Sequence, residues 1–262
     1  MQDRYTGDLG DFGKYGLLRA LCAPEDTSPA LSLGVVWYLY PHQESNADGK
    51  HVAYLDSSVA NQRAFRDCDP VLYDGLKTIV VSGRRCISRI REQGILPAST
   101  RFFEEELTLN DLPSVGSAAK AARELRQNGW MERAQDSVIG CDVVFVDPDN
   151  GLEVTSATRL SNRGPKYVFF DDLKPYVQRN QSLVIYRHFS HRGKISAQVD
   201  TALARLKEHL DCPNPLALVY HRGTARAFLV VPAARHQHII RERTDRFLSG
   251  GWTQHFDRSP KV

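Results

Sequence analysis

The chain has 262 residues, of which 42% are hydrophobic and 25% are charged, with a formal net charge of +3. These values are ordinary for a globular protein with a sizeable core. No apolar run reaches the roughly 18 residues of a membrane-spanning helix, and the polar start Met1-Gln2-Asp3-Arg4-Tyr5 is unlike a signal peptide. The sequence therefore predicts a cytoplasmic protein of one domain, residues 1–262, and excludes membrane and secreted classes.

The cysteines are odd in number and scattered, and none forms a Cys-x-x-Cys pair. They are Cys22, Cys68, Cys86, Cys141 and Cys212. This pattern fits neither a disulfide framework nor a tetrahedral zinc site. We expect most of them to be small buried apolar residues.

Short runs with the composition of buried strands recur along the chain. In order they are residues 33–40, 142–147, 166–170, 182–186, 216–220 and 227–231. The short connection between the last two suits a hairpin, which would add an antiparallel edge strand.

Helical spacing of apolar residues predicts helices between these runs. They cover residues 12–22, 70–80, 118–127 and 196–210, and the small and polar residues 108–117 predict a loop. Strands that alternate with helices are typical of a mainly parallel sheet covered on both faces. The expected fold class is therefore α/β, with a C-terminal antiparallel hairpin.

Four glycines lie among acids and a lysine in residues 7–16. Such spacing indicates a backbone that approaches a ligand closely. Asp11 is placed to cap the following helix, and Lys14 would face solvent or a phosphate. A capped helix with a flexible entry is the alternative, and the spacing of a Walker loop is absent.

Polar residues 41–51 follow the first predicted strand directly, and they include His42, Asp48 and His51. A polar segment at this place predicts a ligand loop, although Asn46-Ala47-Asp48-Gly49 alone would also form an ordinary turn. His188 and His191 follow the run 182–186 and are expected at the same edge of the sheet.

The strongest motif follows the run 142–147, where the chain continues as Asp147-Pro148-Asp149-Asn150, with Glu153 close behind. In parallel α/β sheets, ligands bind outside the carboxyl ends of the strands. Proline fixes the turn and removes a donor, so that neighbouring carbonyls can face a ligand. Three acids this close repel one another unless they have a partner. The turn is the predicted active site, with a structural turn and helix cap as the alternative.

Arginine outnumbers lysine and suits phosphate, so nucleic acid is a candidate partner. A solvated helix face is the alternative for each cluster. The clusters are Arg84, Arg85, Arg89 and Arg91, then Arg235, Arg241, Arg243 and Arg246.

The order of these pieces resembles the Rossmann-fold methyltransferases that use S-adenosylmethionine, especially the adenine-N6 branch and its small ribosomal-RNA adenine methyltransferases. Those proteins begin with a Gly-Asn/Asp-Phe stretch that leads into a helix, as Gly10-Asp11-Phe12-Gly13-Lys14 does here. They carry Asp-Pro-Pro-Tyr after the fourth strand, where this chain has Asp147-Pro148-Asp149-Asn150. They end with an antiparallel strand pair.

This chain departs from the family at two places. No glycine follows the first strand before Gly49, where the family has a glycine-rich loop under the cofactor. Asp149 and Asn150 stand where the family has a second proline and an aromatic residue that stacks on the target base.

The resemblance implies a Rossmann-like fold, S-adenosylmethionine as cofactor, and nucleic acid or a nucleotide as substrate. Asp147 and the Pro148 carbonyl, with Asp149 and Asn150 in the same turn, would align the acceptor amine for in-line attack. The residues expected to hold cofactor or substrate are Asp11, Lys14, His42 and Asp56, the last on a ribose.

Two alternatives stay open. One is a metal-dependent hydrolase, such as a nuclease, in which magnesium or manganese activates water. Its ligands would come from Asp8, Asp48, His51, Asp147, Asp149 and Glu153, although no PD-(D/E)xK spacing is present. The other is a catalytically inactive module that binds a nucleotide or a partner.

Overall fold

A seven-stranded sheet forms the centre of the protein, and a separate two-stranded pair lies outside it. The computed structural model describes residues 2–24, 29–41, 49–190 and 193–259. Its strands are β1 Leu33–Trp37, β2 Arg101–Phe103, β3 Val143–Asp147, β4 Gly151–Leu152, β5 Tyr167–Val168, β6 Ser182–His188, β7 Leu216–Tyr220, β8 Arg226–Val231 and β9 Phe256–Ser259.

Helices cover both faces of this sheet. They are α1 Leu9–Cys22, α2 Val59–Ala64, α3 Pro70–Val81, α4 Ser88–Glu92, α5 Ser117–Ser137, α6 Phe170–Gln178, α7 Ile195–Leu210 and α8 Gln237–Ser249. Helices α1, α3 and α8 contribute to the core on one face, and α5, α6 and α7 to the core on the other. Within the described ranges, no helix has both the length and the apolar character needed to cross a membrane.

The strand order is β2-β1-β3-β6-β8-β7-β9. The first four strands are parallel, and each later neighbouring pair is antiparallel. From β1 the chain moves outward to β2 on one side and later to β3 on the other. The boundary between β1 and β3 is therefore the topological switch point, outside which open α/β sheets bind their ligands.

The period of two along β3 decides where its last side chain points. Val143 and Phe145 belong to the core beneath α1, whereas Val144 and Val146 belong to the opposite core. Asp147 continues the first set. Its carboxylate therefore faces the amino-terminal end of α1 rather than α5, α6 and α7.

The α/β class and the hairpin of β7 and β8 are confirmed, but two details of the prediction are wrong. Residues 166–170 do not form a strand of the main sheet, since they hold only the two-residue β5 and the start of α6. Strand β8 is not an edge strand, because it pairs with β6 on one side and β7 on the other, and β9 lies at the edge. The sequence patterns also missed α8 and ended α5 ten residues early.

Glycines on one side of α1 let this helix approach the C-terminal part of the chain closely. A Cβ atom would lie 2.8 Å from Arg226 Cζ at Gly10, 2.8 Å from Tyr220 Cε2 at Gly13, and 2.1 Å from Trp252 Cη2 at Gly16. The prediction that these glycines approach a ligand is therefore wrong for Gly13 and Gly16, which approach side chains of the protein itself.

Replacing Gly16 with alanine is expected to lower the free energy of unfolding by about 1–3 kcal/mol, because the added methyl overpacks the core against Trp252. Gly129 in α5 is the matched control, since a Cβ there meets only the end of the Arg133 side chain at 3.4 Å. Gly129→Ala should raise the free energy of unfolding by about 0.5–1 kcal/mol. Denaturant unfolding of both variants checks this, and effects of equal sign would contradict it.

Candidate functional site

A cavity of about 480 Å³ opens at the carboxyl edge of the parallel strands. It is bounded by the start of α1, the turn after β3, the end of β6 and the start of β8. The residues around it are Gln2, Arg4, Tyr5, Asp8, Gly10, Asp11, Lys14, Gly49, Lys50, His51, Asp147, Pro148, Asp149, Asn150, Lys166, Tyr186, His188, Thr224 and Arg226. The predicted turn and the predicted N-terminal stretch thus meet in one cavity.

Lys14 joins these two segments. Its Nζ donates to Asp11 Oδ1 at 2.9 Å and to Asp147 Oδ2 at 2.8 Å. All three side chains are buried. Since the partners are 133 residues apart in sequence, this ion pair fixes the start of α1 against the end of β3.

Two of these groups, Asp11 and Lys14, have shifted pKa values. Burial raises the pKa of Asp11 to about 6, against the attraction of Lys14. Burial alone would lower the pKa of Lys14, but Asp11 and Asp147 raise it well above its ordinary value. The ammonium group therefore stays charged at neutral pH, and it neutralises part of the carboxylate charge beneath the cavity.

The first turn of α1 is capped by an acidic residue that also lines the cavity. Asp8 is the N-cap, and its Oδ1 accepts from the Asp11 backbone N–H at 3.0 Å. The Gly7 N–H donates to Asp11 Oδ2 at 3.0 Å. This is the helix cap that the sequence suggested, with Asp8 rather than Asp11 at the N-cap position.

The turn after β3 is held from its far side by Lys166. Lys166 Nζ lies 3.4 Å from Asp149 Oδ2, and the Asn150 N–H donates to the Lys166 carbonyl at 2.8 Å. The Lys166 ammonium also lies 4.4 Å from the centre of the Tyr40 ring. The turn therefore has a defined shape, with Asp149 on the wall of the cavity.

Two residues of the opposite wall, Arg226 and Tyr186, were not predicted from the sequence. Arg226 begins β8, which runs antiparallel to β6, so its first residue reaches the edge where the parallel strands end. The available signal was an arginine directly before the buried run 227–231. It points to this edge only once the strand order is known.

His188, at the end of β6, lies in the cavity as expected. Burial lowers its pKa to about 4, and the charge of Arg226 acts in the same direction. The imidazole is therefore neutral at neutral pH. His191, its predicted neighbour, falls outside the described residues.

A second cavity of about 510 Å³ lies beside the first and shares Asn150 and His188 with it. Its walls carry two cations, Arg187 and Lys194, and two aromatic residues, Tyr167 and Phe189. Burial and the nearby charge of Arg205 both lower the pKa of Arg187. An anion in this cavity would therefore be attracted.

The predicted metal ligands only partly converge. Asp8, His51, Asp147 and Asp149 line the first cavity, whereas Asp48 lies outside the described residues. In the part of the chain that the structure describes, no group of three or more His, Cys, Asp or Glu side chains could hold a metal. The Lys14 ammonium already takes the position of a cation between two carboxylates.

Two other expectations, for Glu153 and Asp56, change with the structure. Glu153 does not line the first cavity, since it accepts from the Phe170 N–H and from Arg205 on the side of α6 and α7. Asp56 is exposed and accepts from the Ser58 N–H, also away from the cavity, which corrects its predicted place on a ribose. His42 lies outside the described residues.

The two arginine clusters serve largely internal contacts rather than one basic surface. Arg89 and Arg91 pair with Glu92 and Glu104. Arg243 is buried and donates to the Leu21 and Pro29 carbonyls. The clusters therefore give little support to nucleic-acid binding.

A Ser-His-Asp arrangement occurs at the opposite edge of the sheet. Ser182 Oγ lies 2.9 Å from His236 Nδ1, and His236 Nε2 lies 3.3 Å from Asp142 Oδ1. Ser182 is fully buried, and its Oγ also accepts from the Ala233 N–H. Because a substrate cannot reach this hydroxyl, we interpret the three residues as a structural hydrogen-bond network.

Replacing Lys14 with methionine is expected to lower the free energy of unfolding by about 3–5 kcal/mol, because it leaves two buried carboxylates without their counter-charge. Lys166→Met is the control, since it breaks the more exposed pair with Asp149 and should cost about 1 kcal/mol or less. Denaturant unfolding at pH 7 measures both. If the two variants lost similar amounts of unfolding free energy, the buried Lys14 ion pair would contribute no more to stability than the more exposed Lys166 pair.

The free energy of unfolding should depend on pH because His188 is buried in its neutral form. Its lowered pKa means that only the unfolded chain gains this proton as the pH falls from about 6.5, so wild type loses up to about 3 kcal/mol by pH 4. The variant His188→Gln lacks this loss. Unfolding free energies across this range should therefore shift in favour of the variant as the pH falls, and a constant difference would contradict the assignment.

Comparison of the chain with protein-family models, curated proteins and solved structures gives no match.

Proposed function

We propose that the chain is a methyltransferase-type enzyme that transfers a methyl group from S-adenosylmethionine to an amino group of a nucleic acid or nucleotide. The main support is the position of the Asp147-Pro148-Asp149-Asn150 turn. It ends a parallel strand beside the switch point and forms a wall of a charged cavity. The antiparallel insertion of β8 next to β6 agrees with the strand pair that ends the resembling family.

The residues around the cavity fit a cofactor that carries both signs of charge. Asp8 and Asp149 supply carboxylates for an ammonium or sulfonium group, and Arg226 supplies a buried guanidinium for a carboxylate. Asp11 and Lys14 also line the cavity, as the resemblance implied. When bound, S-adenosylmethionine supplies an electrophilic methyl group.

The turn after β3 is suited to hold an acceptor amine. Pro148 has no N–H, so the turn offers its carbonyl without a competing donor. Asp147 is fixed by Lys14 at 2.8 Å and Asp149 by Lys166 at 3.4 Å, so both carboxylates are oriented before a ligand arrives. An amine that donates to these oxygens has its lone pair directed into the cavity, and such positioning can contribute several kcal/mol.

The second cavity supports a nucleic acid as the substrate. Basic and aromatic side chains together bind single strands, because cations attract the phosphates and aromatic rings stack on the bases. Arg187 and Lys194 supply the cations, and Tyr167 and Phe189 the rings. A base in the first cavity would leave its neighbouring nucleotides beside the second, which shares Asn150 and His188 with it.

A metal-dependent hydrolase has less support, since Lys14 takes the place of a cation between Asp11 and Asp147. A binding module without turnover would use the same cavity as the enzyme.

Calorimetric titration with S-adenosylmethionine should show saturable binding, and labelled methyl groups should pass to RNA or DNA in the presence of a chelator. Asp149→Asn is expected to lower kcat at least about 100-fold while the protein stays folded, because the acceptor amine loses a charged partner. Asp171→Asn is the control, since this carboxylate is exposed and pairs only with Lys174 among the ion pairs of the described chain.

Binding without transfer to any acceptor would favour the binding module. Absence of cofactor binding, together with chelator-sensitive cleavage of nucleic acid, would replace the proposal with the hydrolase.

A further inference from the structure

Arg226 lies in a position that is costly for a charged side chain. It is only 7% exposed, and its Nε and Nη1 atoms are buried without a hydrogen-bond partner in the described part of the chain. An unpaired buried charge is among the least favourable features of a folded protein. A hydrogen-bonding partner is therefore missing from this arginine, and the cavity that it lines is where one would bind.

The surroundings hold Arg226 in place without satisfying it. It lies opposite His188 on β6 and opposite Tyr220 on β7, and the Tyr220 hydroxyl is itself buried without a partner. On its other side the guanidinium packs against Gly10, where a Cβ would lie 2.8 Å from Cζ. The glycine thus leaves room for the guanidinium at the edge of the cavity.

Nearby acids do not replace the missing partner. Burial would lower the pKa of Arg226, but attraction from Tyr186 and Asp8 raises it, so the guanidinium is charged. Asp8 uses Oδ1 to cap α1, and Asp11 is bonded to Gly7 and Lys14. These carboxylates act on Arg226 at a distance and leave its donors for a ligand.

We propose that Arg226 is the anion-binding residue of the cavity and donates hydrogen bonds to a carboxylate or phosphate group of the bound molecule. A guanidinium forms paired hydrogen bonds with both groups. Strand β6 separates β8 from β3, so the anion subsite lies about 10 Å from the turn after β3, at two interstrand spacings. One molecule can therefore reach both.

This inference rests on the proposed function for the identity of the anion, which has two sources. It is either the carboxylate of the amino-acid part of S-adenosylmethionine or the phosphate of a substrate nucleotide. Each source has a matched probe without the anion. Decarboxylated S-adenosylmethionine lacks the carboxylate, and adenosine lacks the phosphate of AMP.

The test compares binding of these four molecules to wild type, Arg226→Gln, Arg226→Lys and Arg222→Gln by calorimetry. Arg222 is the control, because it lies in the connection that leads into β8 but donates to His255 Nδ1 at 2.8 Å and to the Gln254 carbonyl. We expect wild type to prefer one anionic probe over its matched analogue by at least about 10-fold. Arg226→Gln should abolish the preference, Arg226→Lys should retain part of it, and Arg222→Gln should keep it.

Each outcome decides the proposal. Loss of the preference for S-adenosylmethionine assigns the carboxylate, and loss of the preference for AMP assigns the phosphate. A preference that survives in Arg226→Gln, or wild type that prefers neither anionic probe, overturns the anion subsite. Binding of AMP alone would retain the subsite while removing support for methyl transfer, so the two proposals fail separately. Thermal unfolding of each variant confirms that a lost preference does not reflect a lost fold.

Discussion

The site depends on one buried ammonium group. Lys14 comes from the second turn of the first helix and contacts the carboxylate that ends β3, while Asp11 holds it from its own helix. Burial of these charges is costly in isolation, and their mutual contacts offset that cost. Each of the three buried charges is stabilised only when Lys14 contacts both Asp11 and Asp147. These contacts therefore fix the start of α1 relative to the end of β3. Since both elements line the cavity, the ion pair also determines the shape of the cavity.

The same ion pair decides which chemistry the acids can perform. Carboxylates at a strand end suggest a cation site when they are read from sequence alone. In the folded chain Lys14 pairs with Asp147 and with Asp11 and neutralises part of their charge, so that Asp147 is held as a hydrogen-bond acceptor in a fixed orientation. A carboxylate paired with an ammonium group attracts a metal ion less strongly than an unpaired carboxylate does.

Local patterns could predict the parts of the site but not how they meet. Asp147 follows from a buried strand that ends in a polar turn, and Lys14 from a charged residue in a glycine-rich helix start. Arg226 and the place of β8 depend on strand order, which hydrophobic periodicity does not encode. The prediction for Asp56 was wrong for a related reason, since its position after the short run 51–55 looks the same whether that run borders the cavity or the solvent. The α/β class was predictable because continuous buried runs that alternate with segments of helical periodicity can be recognised without knowledge of the strand order.

The glycine side of α1 has a consequence for when the site forms. Gly10, Gly13 and Gly16 pack against Arg226, Tyr220 and Trp252, so the first long helix is completed by nearly the last residues of the chain. Contacts this distant in sequence form late in folding, because a long loop must close first. During synthesis on the ribosome, α1 can therefore complete its packing only after the C-terminal residues have been made. A chain that ended before β8 would carry Asp147 and Lys14 but would lack the wall of the cavity that Arg226 forms.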